Sequence, residues 1–74
     1  MNTEYLIKMA NQIGTFFESQ PCYEQAQSDL ARHIQNNWEP RMRTALLAHV
    51  DQHQGEGLSE FVRQTIDGHR QLLG

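Results

Sequence analysis

The densest chemistry in the chain lies in Trp38-Glu39-Pro40-Arg41-Met42-Arg43. Pro40 reads as the first residue of a helix, because its ring presets φ and its missing N–H would have had no partner there. Arg41 and Arg43 then fall at the start of that helix. Peptide dipoles leave positive charge at this end, so each arginine costs about 0.3–1 kcal/mol relative to a well-placed acid. Guanidinium is a planar fork of donors that suits carboxylates and phosphates. The placement therefore requires an anionic counter-group, either Glu39 and its neighbours in the chain or a group on another molecule. Two readings stand. In one, Arg41 and Arg43 pair with Glu39 and with acids on neighbouring helices while Trp38 plugs a small core. In the other, Trp38, Glu39, Pro40, Arg41, Met42 and Arg43 form a partner-binding corner, with His49 and the Gly55–Leu58 turn as neighbours, since Trp and Arg are the residue types most enriched at interface hot spots.

Other chemistry is sparser. His49 and His53 stand at i,i+4 and share a helix face, a spacing that can supply two metal ligands. Asp51 projects elsewhere, and no Glu follows His49 to make the zinc-protease motif. The expectation is no metal, with one histidine bordering the core and the other solvated. Cys22 is the only cysteine; as a nucleophile it would need a base and an orienting group from elsewhere. One cysteine cannot hold an iron–sulfur cluster. No close pair of acids suggests acid–base catalysis. Gly55-Glu56-Gly57 lacks the Lys-Ser or Lys-Thr of a phosphate loop. No catalytic, cofactor-binding or metal-ligating residue is expected.

The elements that must position these residues read as helices. Leu6, Met9, Ala10, Ile13, Phe16 and Phe17 recur at spacings of three and four, predicting a helix over about Thr3–Ser19 with Thr3 as its N-cap. Gly14 inside it costs about 1 kcal/mol relative to Ala, which predicts another backbone or a bulky side chain, Trp38 being the candidate, close against it. Ser19-Gln20-Pro21 breaks the pattern. Tyr23, Ala26, Leu30, His33 or Ile34, and Trp38 give a second helix over about Cys22–Asn37. Met42, Ala45, Leu46, His49, Val50 and His53 continue a third from Pro40, ending before Gln54-Gly55-Glu56-Gly57, where the glycines should supply a C-cap and turn. Ser59 caps a last helix carrying Phe61, Val62, Ile66, His69, Leu72 and Leu73 almost to the C-terminus. The fold class is all-α, a compact array of about four short helices.

At 74 residues one domain spanning 1–74 is expected, and a chain of that size buries only roughly 60% of its unfolded surface. Stability borrowed from a partner fits this size. Six Lys and Arg against nine Asp and Glu give a net charge of −3; the cations are dispersed, which argues against nucleic acid. A mean hydropathy of −0.70, with no apolar run near ~20 residues, argues against membrane insertion. Met1–Leu6 lacks the features of a secretory signal, and the lone cysteine fits a reducing compartment. Cytoplasmic residence is the expectation.

Several blocks in order carry a family resemblance: Lys8-Met9-Ala10-Asn11-Gln12-Ile13-Gly14 with Phe16-Phe17, His33-Ile34, Trp38 to Arg43, Leu46-Leu47-Ala48-His49-Val50-Asp51, and Gly55-Glu56-Gly57-Leu58. From about Tyr5 to Val62 the chain resembles the small delta subunit of soluble NAD-dependent formate dehydrogenases. It departs from that family at Asn37, where an aromatic is usual, at Cys22, where Asp is common, and at Gln54, where glycine is common. The resemblance implies a non-catalytic accessory subunit that docks on the catalytic alpha subunit and stabilises the complex or its cofactor-loaded state. It implies that alpha carries the molybdenum or tungsten bis-pterin cofactor and iron–sulfur clusters, while beta and gamma pass electrons to NAD through FMN and further clusters. The alternatives are a transient maturation factor, whose arginines would meet the phosphates of the pterin dinucleotide, and a self-associating helical module forming a homodimer.

Overall fold

The computed structural model describes residues 2–74; Met1, included in the expected domain span, lies outside the described residues. The chain is all-α: α1 is Thr3–Glu18, α2 Tyr23–Asn37, α3 Pro40–His53, α4 Glu60–Gly68 and α5 Arg70–Leu73. These helices account for 79% of the described residues, and four of them have seven residues or more.

The N-cap of α1 is Asn2, not Thr3: Asn2 Oδ1 accepts from the backbone N–H of Glu4 at 2.9 Å and of Tyr5 at 3.4 Å. Asparagine is among the strongest N-caps and outcompetes threonine one residue later. The helix then runs through Gly14, which has Val62 and Phe61 of α4 against it, not Trp38. A Cβ on Gly14 would stand 2.5 Å from Val62 Cγ2. The missing side chain is what lets α1 and α4 approach. Phe16, expected on the buried face, is 69% exposed. The 6-10-14 row carries the buried face of α1, and Phe16, two residues past Gly14, is rotated well away from it. It rests edge-on against Phe17, whose ring in turn meets His33 of α2.

Helix α3 begins at Pro40, as the proline predicts, and ends at His53. Its C-cap is Gln54, in the left-handed conformation at φ 58°, where glycine was expected. Gly55 and Gly57 follow at φ 70° and 90° and complete the turn. The expected last helix is broken in two. Gly68 weakens its end, and His69, at φ −128°, turns its Nδ1–H back onto the Thr65 carbonyl at 2.9 Å. The chain restarts as α5, which brings Leu73 into the core.

One core cluster joins all five helices: Leu6 and Ala10, Ala26, Leu30 and Ile34, Trp38 at the end of α2, Leu46, Phe61, Val62 and Ile66, and Leu73. Thr65 is buried among them with its hydroxyl donating to the Phe61 carbonyl. The radius of gyration is 11.0 Å, close to the ~11 Å of a folded chain of this length. Helix α3 contributes only Leu46 to the fully buried set. Much of its surface stays partly open, including Ala45, Leu47, Ala48, His49 and Val50.

Candidate functional site

The corner between α2 and α3 separates its six residues into two groups. Trp38 is 4% exposed and belongs to the core; its backbone N–H closes α2 on the Ile34 carbonyl at 2.9 Å. Glu39 is the N-cap of α3, and its side chain makes no capping bond. Glu39, Pro40 and Arg41 are exposed, while Met42 is half-buried and packs against the core cluster.

Arg43 resolves the electrostatic conflict seen in the sequence, by a route that neither reading anticipated. Its guanidinium donates to three carbonyls: Nη1–H to Trp38 O at 2.7 Å and to Gln35 O at 3.0 Å, and Nε–H to Leu73 O at 3.2 Å. Gln35 and Trp38 lie at the C-terminal end of α2, and Leu73 is the last residue of α5. Helix C-termini expose unpaired carbonyls and negative dipole ends. A charge placed badly at the start of its own helix is therefore placed well against the ends of two others. No carboxylate is involved.

Arg41 takes the opposite position. Residues two apart on a helix point about 200° from one another and do not share a face. With Arg43 directed inward, Arg41 is directed outward, and the one ion pair among the described residues is Arg70 with Asp51, elsewhere on the surface. Pairing of Arg41 and Arg43 with acids of neighbouring helices is thus not what the fold uses, although Trp38 does plug the core.

His49 lies two turns further along α3, and its Nε2–H donates to the Glu56 carbonyl at 2.6 Å. The bond pins the α3–α4 turn, and it fixes the tautomer because a carbonyl only accepts. From the other side Asn11 of α1 holds the same turn, donating Nδ2–H to Gly57 O at 2.8 Å and accepting from Ser59 N–H at 2.9 Å. The His49 and His53 rings stand 5.5 Å apart. Among the described residues no cluster of three or more His, Cys, Asp or Glu could hold a metal ion. Cys22 is exposed.

An open groove of about 460 Å³ runs between the first turns of α1 and the stretch of α3 from Ala45 to His53. Ile7, Ala45 and Ala48 give it apolar walls, and Glu4, His49, His53 and Glu56 edge it. Of the expected site residues, only His49 lines this groove. Ile7 and Ala48 did not emerge from periodicity because each stands off its helix's main apolar stripe. An apolar residue beside the stripe, such as Ile7 next to Leu6, was the available signal.

Over residues 5–66 the chain matches the family described as NADH-dependent formate dehydrogenase delta subunit FdsD. No curated protein and no solved structure matches it. The matched span contains the whole corner, all of α3 and the turn that His49 and Asn11 hold.

Proposed function

The chain belongs to the delta-subunit family of NADH-dependent formate dehydrogenases, and from that premise we propose that it is a non-catalytic accessory subunit docking on the catalytic alpha subunit. Its role in this reading is to stabilise the complex or its cofactor-loaded state. The molybdenum or tungsten bis-pterin, the iron–sulfur clusters, FMN and the NAD site are assigned to the alpha, beta and gamma subunits. We place the assembly in the cytoplasm; no described helix is long and apolar enough to cross a membrane.

The observation that carries this reading is the division of labour at the corner. Trp38 and Arg43 are held within the fold, while Glu39, Pro40 and Arg41 project from it. An exposed guanidinium beside a rigid proline turn is suited to a carboxylate on a partner, as a preorganised fork loses little freedom on binding. Trp38 and Arg43 serve the docking surface from beneath by fixing that turn.

The test is affinity purification of the tagged chain from its own cells, with mass identification of what accompanies it and an assay of formate-dependent NAD reduction. Stoichiometric recovery of an active formate dehydrogenase is expected, and R41E should reduce it. Recovery of an inactive, cofactor-free alpha subunit alone would favour the maturation-factor reading, in which Arg41 would meet phosphates of the pterin dinucleotide. Absence of any formate dehydrogenase subunit would overturn the proposal.

A further inference from the structure

Resting on the accessory-subunit reading, we infer that the α1–α3 groove is the main docking surface. Its occupant is an amphipathic helix of the partner subunit, apolar on its inner face and carrying lysine or arginine beside it.

Shape is the first argument. Ala45 and Ala48 are the smallest side chains that can floor an interhelical contact, and Ile7 supplies the facing wall. Small residues on one helix let a second approach at the short end of the usual 8–10 Å interaxial range. On α3, Arg41, Ala45, Ala48 and Gln52 follow one another at helical spacing, so groove and exposed corner form a single strip. From Arg41 to Gln52 it extends roughly 16 Å at 1.5 Å per residue, which accommodates about three turns of a docked helix.

Charge is the second argument, and it selects the occupant. Glu4 and Glu56 line the groove and no lysine or arginine does. The negative dipole end of α3 at His53 is offset by the positive dipole end of α1 at Thr3 and Glu4, so the two carboxylates set the sign of the groove. A segment bearing basic side chains is attracted there, and an acidic one is repelled. A second copy of this chain fits poorly, since each copy brings the same two acids to the interface. At the opposite end of the strip Arg41 reverses the polarity, so the docked helix presents an acid to that end.

The tagged chain, purified from its own cells as above, supplies the test. E4K/E56K reverses charge at two exposed positions and leaves the core untouched; A48R fills the floor. Each should lower recovery of the alpha subunit at least tenfold at unchanged far-UV circular dichroism. Wild-type recovery should fall as salt rises. If E4K/E56K binds like wild type, the basic occupant is overturned, whether or not A48R folds. If the wild type recovers active enzyme and neither variant weakens it, the groove is not the interface while the accessory-subunit reading stands. If the wild type recovers no subunit, that reading fails and this inference with it. Self-association of the isolated chain in sedimentation, abolished by A48R, would make a second copy the occupant and overturn the inference too.

Discussion

Replacing Arg43 by Met keeps an unbranched stem for packing and removes every donor. Three carbonyls then lose a charged partner. Hydrogen bonds to charged groups contribute about 1.5–3 kcal/mol each when shielded. The bonds to Trp38 and Leu73 are part-buried and take the lower value, about 1.5 kcal/mol each. The bond to Gln35 is exposed, where water substitutes readily, and adds at most about 0.5 kcal/mol. Removing a cation from the start of α3 returns roughly 0.5 kcal/mol. The net loss is about 3 kcal/mol, and since a stability change of 1 kcal/mol moves Tm by about 4–8 °C at this size, the midpoint should fall by about 12–24 °C. R43K keeps the charge but cannot span three acceptors with one ammonium, so about half the loss should remain. Thermal unfolding by circular dichroism measures both variants. Hydrogen exchange of the Gly74 amide, which donates to Arg70 O at 2.8 Å, reports on α5 separately and should accelerate. A loss below about 0.5 kcal/mol for R43M, with that amide still protected, would refute the reasoning that Arg43 joins α2, α3 and α5, whose combined bonds should contribute well above that.

Other consequences are as direct. G14A gains about 1 kcal/mol of helix propensity but drives its Cβ into Val62, at a cost of about 1–3 kcal/mol; the net should be a loss, relieved in G14A/V62A by a measurable coupling in a double-mutant cycle of chemical denaturation. Q54G should stabilise by about 0.5–1 kcal/mol, since left-handed backbone costs a non-glycine residue roughly 1–2 kcal/mol and part of the gain is offset in the unfolded chain. N11A removes both bonds by which α1 holds the α3–α4 turn and should cost about 1–2 kcal/mol, with faster exchange of the Ser59 amide as the specific readout. D51N breaks the Arg70 ion pair, whose side chains are 43% and 56% exposed; screened as it is, the loss should stay below about 0.5 kcal/mol in the same unfolding assay.

The helices were legible because their apolar rows are regular and their starts are signalled: Pro40 and Ser59 stand where the structure begins α3 and caps α4. Part of what escaped depends on contacts between residues far apart in sequence, and part on local choices of backbone. The neighbour of Gly14 is forty-eight positions away, on α4, and no local pattern names it. Gln54 occupies a left-handed site that favours glycine; the resemblance marked the position as a departure, while the backbone conformation there was not legible from the residues. The break at His69 follows from a side chain competing for the Thr65 carbonyl, a choice that local propensity leaves open.

The two arginines show why residue types alone misassign a surface. Trp and Arg side by side have the composition of a hot spot, yet Trp38 is inside and Arg43 serves three backbone carbonyls. The helical repeat already separates Arg41 from Arg43 by about 200°, so one contact could not have used both. Their charge reversals should therefore act with opposite signs on stability. R41E places an acid near the N-terminus of α3, where the dipole favours it, and removes no bond. R43E sets a carboxylate against three carbonyls. Of the arginine reversals only the single R41E variant probes docking, because R41E/R43E confounds a lost contact with a lost fold. Unfolding midpoints decide this: R41E at or above wild type with R43E well below it is the expected pattern, and a comparable fall in both would mean that Arg41 too is held by the fold.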